Sequence, residues 1–239
     1  MQHFEFGPRR QDTEVKYAMW IGAVVAWFGV IVTNVGNVLD IYPRESGKWP
    51  GLYGHSIHGW AGAGQRFIEG LSYFTMISNI MVALAFTMLA LSLVRTRWRV
   101  ALVDTSLVMI TVTSIVFLTA ILPYIQLSGL ALLTSPWQHV VVPVTTWAIW
   151  GAWGPRGFYA GDGRARSMAR TLIIPALWAA WMLIYGAFTH YYPYGFVNVN
   201  ELGYGRVFIS LAVVVLLGLL LELLLGWIDK KLTRSSKEQ

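Results

Sequence analysis

A threonine hydroxyl and a histidine imidazole are the two side chains of this sequence whose types and positions point to covalent chemistry. Thr75 stands where the second long apolar segment begins, and His139 stands where the fourth begins. An imidazole titrates near neutral pH, so it can take the proton of a hydroxyl that attacks an acyl carbon. A fold that places both segment starts in one layer would therefore supply a nucleophile and its base.

The composition shows what kind of fold must position these groups. Of the 239 residues, 56% are hydrophobic and only 13% are charged, and the mean hydropathy is +0.53, whereas about a quarter of a soluble domain is charged. Because about 20 apolar residues cross a bilayer as a helix, we assign six spans: 17–39, 73–94, 100–123, 137–153, 171–188 and 207–228. The prediction is an all-α integral membrane six-helix bundle that forms a single domain over residues 1–239.

The basic residues indicate how this bundle is oriented. Fourteen of the 18 Lys and Arg residues lie in the terminal segments and in connections 95–99 and 154–170, all on one side of the six spans. Connections rich in Lys and Arg stay in the cytoplasm, so we predict cytoplasmic termini and a multi-pass protein of the cell's inner (plasma) membrane. Spans two and four then both begin at the outer face, which is why Thr75 and His139 are expected in one outer layer.

Charge and cysteine content exclude several other classes of function. The net charge of +6 is explained by the topology and by contact with anionic membrane lipids. A nucleic-acid partner is not expected, because the segments outside the spans contain no basic stripe with interleaved aromatic residues. The chain has no cysteine, so disulfides, thiolate nucleophiles and thiolate metal sites are excluded. His55 and His58 form only a weak two-ligand pattern in the long outer connection 40–72, and we predict neither a metal nor an organic cofactor.

Other polar residues near the outer face could assist the pair or simply hold helices together. Ser72, Thr75 and Asn79 follow i, i+3, i+7 spacing and are expected on one helical face, although small polar side chains often only join membrane helices. Asn37 lies near the outer end of span one, where lining a cavity and solvating the helix end are equally good explanations. His190 is a second candidate base, but its aromatic loop favours an interfacial role. The carboxylates Asp104 and Glu222, near the inner ends of spans three and six, are interpreted as structural.

A set of motifs in residues 66–235 resembles a known family. The motifs are Tyr73-Phe74-Thr75 with Ser78-Asn79, then His139 with Pro143, then the block 191–199 that begins Tyr-Tyr-Pro-Tyr-Gly-Phe, and Gly203-Tyr204. They are similar to those of bacterial six-span relatives of the androgen-induced membrane proteins, a family that includes the androgen-dependent regulator of tissue factor pathway inhibitor. The block around Tyr192 is the most specific of these motifs.

This resemblance implies a membrane-embedded hydrolase of fatty acid esters of hydroxy fatty acids. By motif, the family's threonine nucleophile corresponds to Thr75 and its histidine to His139, with Pro143 four residues later. The chain departs from the animal pattern in having Gln138, where a second histidine would precede His139. The substrate would be a lipid ester, reached from within the membrane.

The remaining roles in acyl transfer are assigned from position along the chain. The oxyanion needs preorganised donors, and Asn79 is the first choice, followed by Ser78, Asn198 or a loop tyrosine. Asn37 or Tyr192 could orient the imidazole. Two other kinds of function stay open at this point: a haem protein that holds iron between His139 and His190 or a transport protein, and a non-catalytic lipid-binding protein.

Overall fold

The fold is described from a computed structural model that covers residues 4–6, 11–42, 56–157 and 164–235. Apart from one antiparallel pair of two-residue strands, β1 (Glu5–Phe6) and β2 (Pro155–Arg156), the regular elements of these residues are helical, which confirms the all-α prediction. The α-helices are α1 (Asp12–Val38), α2 (Ala63–Leu71), α3 (Phe74–Leu91), α4 (Arg97–Val116), α5 (Ala131–Pro136), α6 (Val142–Trp153), α7 (Arg164–Thr171), α8 (Ile173–Thr189) and α9 (Val199–Ser235). Shorter turns are 3-10 helical at Gly59–Gly62, Leu122–Tyr124 and Gly195–Val197, and π-helical at Phe117–Ile121 and Trp137–Val141.

Five helices of the described part of the chain are long and apolar enough to cross a membrane. They are Asp12–Val38, Phe74–Leu91, Arg97–Tyr124, Ala165–Thr189 and Val199–Arg234, and they contain the predicted spans one, two, three, five and six or nearly all of each. This is typical of an integral membrane protein. The last helix is interrupted at Gly203, whose φ of 68° and ψ of 161° belong to a backbone region that glycine adopts readily.

The predicted fourth span, 137–153, is helical but is not among these five helices. It forms the π turn Trp137–Val141 and α6, directly after α5. Its apolar run is interrupted by Gln138 and His139, which are both buried. A polar pair on a buried helical face lowers the hydropathy of the segment and marks it as a functional candidate.

The centre of the bundle is formed by α1, α3 and α4, and small residues let α1 come close to its neighbours. A side chain at Gly22 would collide with the Phe86 ring on α3, and one at Gly29 would collide with Trp137. Without a strong hydrophobic drive in lipid, close packing at small residues is a main source of helix association. The π turn that carries His139 is therefore packed directly on α1.

Arg66, the one basic side chain of α2, fixes the C-terminal end of α1. Its side chain is fully buried and donates hydrogen bonds to the carbonyls of Asn37 at 2.7 Å and Val38 at 3.0 Å. It also donates to the carbonyls of Ile57 at 2.5 Å and Gly59 at 2.6 Å. The last carbonyls of a helix lack intrahelical partners, so the guanidinium satisfies them and ties segment 57–59 to α1.

Near the opposite end of the bundle, the buried carboxylates connect helices as the structural interpretation expected. Asp104 on α4 accepts a hydrogen bond from Thr171 Oγ1 of α7 at 3.2 Å and is also hydrogen-bonded to Glu222 of α9. Arg156 of β2 donates to the Trp150 carbonyl at 2.8 Å, which holds the end of α6. These links join α4, α7 and α9 and fix the end of α6 at this end of the bundle.

Candidate active site

Thr75 and His139 meet in the interior, between α3 and the π turn that precedes α6. Thr75 Oγ1 lies 3.1 Å from His139 Nε2, and both residues are buried, with relative exposures of 8% and 9%. Thr75 is the second residue of α3 and His139 is the middle residue of the π turn. A nucleophile within hydrogen-bonding reach of its base is the geometry that covalent acyl transfer requires.

The surroundings of His139 determine which ring nitrogen carries the proton. Nδ1 lies 2.8 Å from the carbonyl oxygen of Ser135. Because a carbonyl only accepts hydrogen bonds, Nδ1 must be the protonated nitrogen of the neutral ring. Nε2 then carries a free lone pair directed at Thr75, which is the tautomer of a general base.

Pro143 explains how the backbone can form the π turn at this point. In an α-helix, the amide of residue 143 would donate to the carbonyl of residue 139, but proline has no N–H. The His139 carbonyl instead accepts a hydrogen bond from Ser114 Oγ of α4 at 2.7 Å. Single π turns occur frequently at functional sites, and here the turn joins His139 to α4 as well as to α3.

Two neighbours of His139 hold the π turn on α1. Gln138 Nε2 donates to the Gly29 carbonyl at 3.0 Å and to Thr33 Oγ1 at 2.5 Å. Trp137 Nε1 donates to the Val25 carbonyl at 2.9 Å. On the other side, the Phe117 ring stacks on the imidazole with centroids 3.6 Å apart and an interplanar angle of 15°. The base is thus held between α1 and the Phe117 ring.

Tyr194, in the loop between α8 and α9, is the third side chain at the hydroxyl. Its Oη lies 3.3 Å from Thr75 Oγ1 and accepts a hydrogen bond from the Thr75 amide at 3.2 Å. This amide belongs to the first turn of α3, so it has no partner within the helix. Desolvation raises the pKa of Tyr194 above its ordinary value, so the phenol keeps its proton at neutral pH.

An apolar pocket opens beside Thr75 between α4, α8 and α9. Its cavity volume is about 30 Å³, so it is a narrow groove in this conformation. Thr75, Thr113 and Tyr194 are the polar side chains of its lining, and the rest is apolar: Phe74, Val112, Val116, Ile121, Trp178, Phe196, Leu211 and Val214. A wall of this kind suits a hydrocarbon chain placed next to a reacting hydroxyl.

The first two of the predicted oxyanion donors, Asn79 and Ser78, both bond to the backbone of Thr75 instead. Asn79 Nδ2 donates to the Thr75 carbonyl at 2.8 Å and to the Gln138 carbonyl at 3.4 Å. Ser78 Oγ donates to the Thr75 carbonyl at 2.9 Å and lies 2.8 Å from Thr113 Oγ1. Both residues therefore position Thr75, and the Asn79 amide has its donors engaged. Ser72 is not on this face, since it ends α2 and the chain is extended at Tyr73.

Within the described residues, the contacts of four other predicted site residues do not include Thr75 or His139. The Asn37 side chain is fully buried next to Gly70, and Tyr192 packs its ring on Gly186 of α8. Asn198 Oδ1 accepts from the Asn200 amide at 3.1 Å, at the start of α9. His190 is exposed and bonds through Nδ1 to Asn200 Oδ1 at 3.3 Å, which joins the ends of α8 and α9. His190 is thus exposed, whereas His139 is buried beside Thr75.

The two-histidine metal pattern of connection 40–72 falls only partly within the described residues. His58 Nδ1 lies 3.0 Å from Asp40 Oδ2, while His55 lies outside the described ranges. Among residues 4–6, 11–42, 56–157 and 164–235, no group of three His, Cys, Asp or Glu side chains could hold a metal ion.

The sequence does not point to three residues that position His139, namely Ser135, Ser114 and Phe117. One signal could have found Ser135, because it precedes His139 by four residues and the two share a helical face. No signal in the sequence pairs Ser114 or Phe117 with His139, since they come from a helix that is distant along the chain. The sequence also does not distinguish Tyr194 from the other tyrosines of its loop as an oxyanion donor.

The comparisons with known proteins add no family assignment. The chain matches no protein-family model, no curated protein and no solved structure.

Proposed function

We propose that this protein is a membrane-embedded hydrolase that cleaves lipid esters, of the type in which a fatty acid esterifies a hydroxy fatty acid. The observation that carries the proposal is the hydrogen-bonded series from Thr75 Oγ1 to His139 Nε2 at 3.1 Å and from His139 Nδ1 to the Ser135 carbonyl at 2.8 Å. A merely structural threonine does not need an imidazole held in the base tautomer.

The mechanism follows from these hydrogen bonds. His139 Nε2 takes the proton of Thr75 as Oγ1 attacks the ester carbonyl carbon, and the protonated imidazole then gives that proton to the leaving alkoxide. The Ser135 carbonyl accepts from Nδ1 throughout and stabilises the positive charge on the ring. After the alkoxide has left, His139 Nε2 takes a proton from water, which hydrolyses the acyl-threonine and restores both groups.

The substrate class is what the motif resemblance implies, and the apolar pocket and the membrane setting support a lipid. The apolar wall formed by Val112, Val116 and Leu211 suits the acyl chain, which would enter sideways from the lipid phase. We further propose six spans with cytoplasmic termini in the inner (plasma) membrane, as the Lys and Arg distribution indicates. Water for deacylation would then reach Thr75 from the outer side.

Labelling with a fluorophosphonate probe tests the proposed chemistry. We expect one adduct per chain, mapped to Thr75 by peptide mass spectrometry, because only a base-activated hydroxyl attacks the phosphorus centre rapidly. Thr111 is a matched internal control: its hydroxyl donates to the Leu107 carbonyl at 2.7 Å, with no base beside it. An adduct elsewhere, or no adduct on folded protein, would count against Thr75 as the nucleophile.

Cysteine accessibility tests the proposed orientation in a chain that has no native cysteine. Single cysteines at the exposed positions Ala61 and Glu201 should react with an impermeant thiol reagent added to intact cells. Cysteines at the exposed positions Thr96 and Ala165 should react only after lysis. The reverse pattern would invert the orientation, and a mixed pattern would contradict the six-span arrangement.

A further inference from the structure

The hydrogen bonds around Thr75 have only one consistent set of donors. The Thr75 amide can only donate, so Tyr194 Oη accepts from it at 3.2 Å. Because His139 Nε2 is unprotonated, the Thr75 hydroxyl must donate to it, and Thr75 Oγ1 is left as an acceptor. The phenol proton of Tyr194 is then the donor to Thr75 Oγ1 across 3.3 Å.

The Tyr194 ring is held by aromatic contacts that do not involve its hydroxyl. It stacks on Phe196 with centroids 5.3 Å apart and meets Tyr73 edge-on, also at 5.3 Å. Trp178 lies 6.4 Å from it, between centroids. Because the ring is held by packing in an apolar surrounding, only a small reorientation of the hydroxyl is needed when charge develops, and its hydrogen bond is more effective there than one from water.

We propose that Tyr194 is a further catalytic residue, which donates its phenol hydrogen bond to the negative charge that develops in the reaction. This inference rests on the proposed function and supplies the oxyanion donor that Asn79 and Ser78 do not. At rest the bond goes to Thr75 Oγ1. After attack, Oγ1 and the carbonyl oxygen are attached to the same carbon, so a short movement brings the phenol to the oxyanion.

The proposed step transfers no proton from Tyr194. The bond from Thr75 Oγ1 to the acyl carbon forms while the hydroxyl proton passes to His139 Nε2, and the carbonyl π electrons move onto the carbonyl oxygen. Tyr194 stabilises that oxygen until the leaving alkoxide departs with the proton from His139. The Thr75 amide, bonded to Tyr194 Oη, polarises the phenol and strengthens it as a donor.

The decisive experiment is Tyr194→Phe in the full-length protein, because phenylalanine keeps the ring contacts and removes only the hydroxyl. We expect kcat to fall about 100-fold, as for other single oxyanion donors, with KM nearly unchanged because the apolar pocket remains. The rate of fluorophosphonate labelling should fall by a similar factor. Tyr185→Phe is the matched control, since the Tyr185 ring stacks on Trp181 away from the site, and it should leave kcat unchanged.

The outcomes separate this inference from the proposed function. If Tyr194→Phe keeps its kcat, or changes only KM, while Thr75→Ala is inactive, Tyr194 is not catalytic and the hydrolase proposal stands. If Thr75→Ala stays active, the proposed function itself is wrong.

A second variant covers the case in which Tyr194→Phe folds poorly. It carries 3,5-difluorotyrosine at position 194, which keeps the hydroxyl and makes it more acidic. The alkaline limb of the kcat profile should then move to lower pH, because a phenolate cannot donate; an unmoved limb would overturn the inference.

Discussion

Thr75→Ala is expected to abolish ester hydrolysis, with kcat lower by about 10⁴-fold or more, as is usual when a covalent nucleophile is removed. The reason is that Thr75 Oγ1 is the hydroxyl bonded to the free lone pair of His139, at 3.1 Å. The measurement is release of free fatty acid from a fatty acid ester of a hydroxy fatty acid in detergent micelles. Protein yield and thermal unfolding should show that the variant is folded, since one lost hydrogen bond costs only about 1–3 kcal/mol.

Two further substitutions sharpen this prediction. Thr75→Ser keeps the hydroxyl and should retain measurable turnover, whereas Thr75→Val keeps the shape of the side chain and should be inactive. Thr87→Val is the matched control on the same helix, because its hydroxyl donates to the Ala83 carbonyl at 2.7 Å and accepts from Trp27. Full activity in Thr75→Val would remove threonine from the mechanism.

His139→Ala is expected to lose activity about as completely as Thr75→Ala. Nucleophile and base act as one unit, so their losses do not add, and the double variant should be no slower than either single one. Added imidazole should restore part of the kcat of His139→Ala, because the space vacated beside Phe117 can admit a free base. Fatty acid release with and without imidazole is the measurement.

His190→Ala is the matched control for this experiment, since His190 is exposed and bonds Asn200. It should keep most of the activity. A protein that loses activity in His190→Ala and keeps it in His139→Ala would have its base misassigned, and the proposed mechanism would have to be rebuilt around the α8–α9 loop.

The sequence was sufficient for the helical class and for the long apolar helices because both depend on local properties. A run of about 20 apolar residues becomes a helix wherever backbone groups cannot bond to water. The same reasoning placed Thr75 and His139 near the starts of their segments and marked them as polar exceptions. Pro143 also marked the segment of His139, although its effect on the backbone became clear only from the π turn.

The tertiary structure alone decided which groups surround Thr75. Sequence spacing predicts Asn79 on the same face as Thr75, but it does not show that the Asn79 side-chain amide donates to two backbone carbonyls. Three tyrosines lie within four consecutive residues, and only the path of the chain after α8 brings Tyr194 to the hydroxyl while Tyr192 packs on Gly186. A hydrogen bond extends over about 3 Å and depends on direction. Whether two distant segments form one is therefore decided by how the helices pack, and a local sequence pattern does not encode that packing.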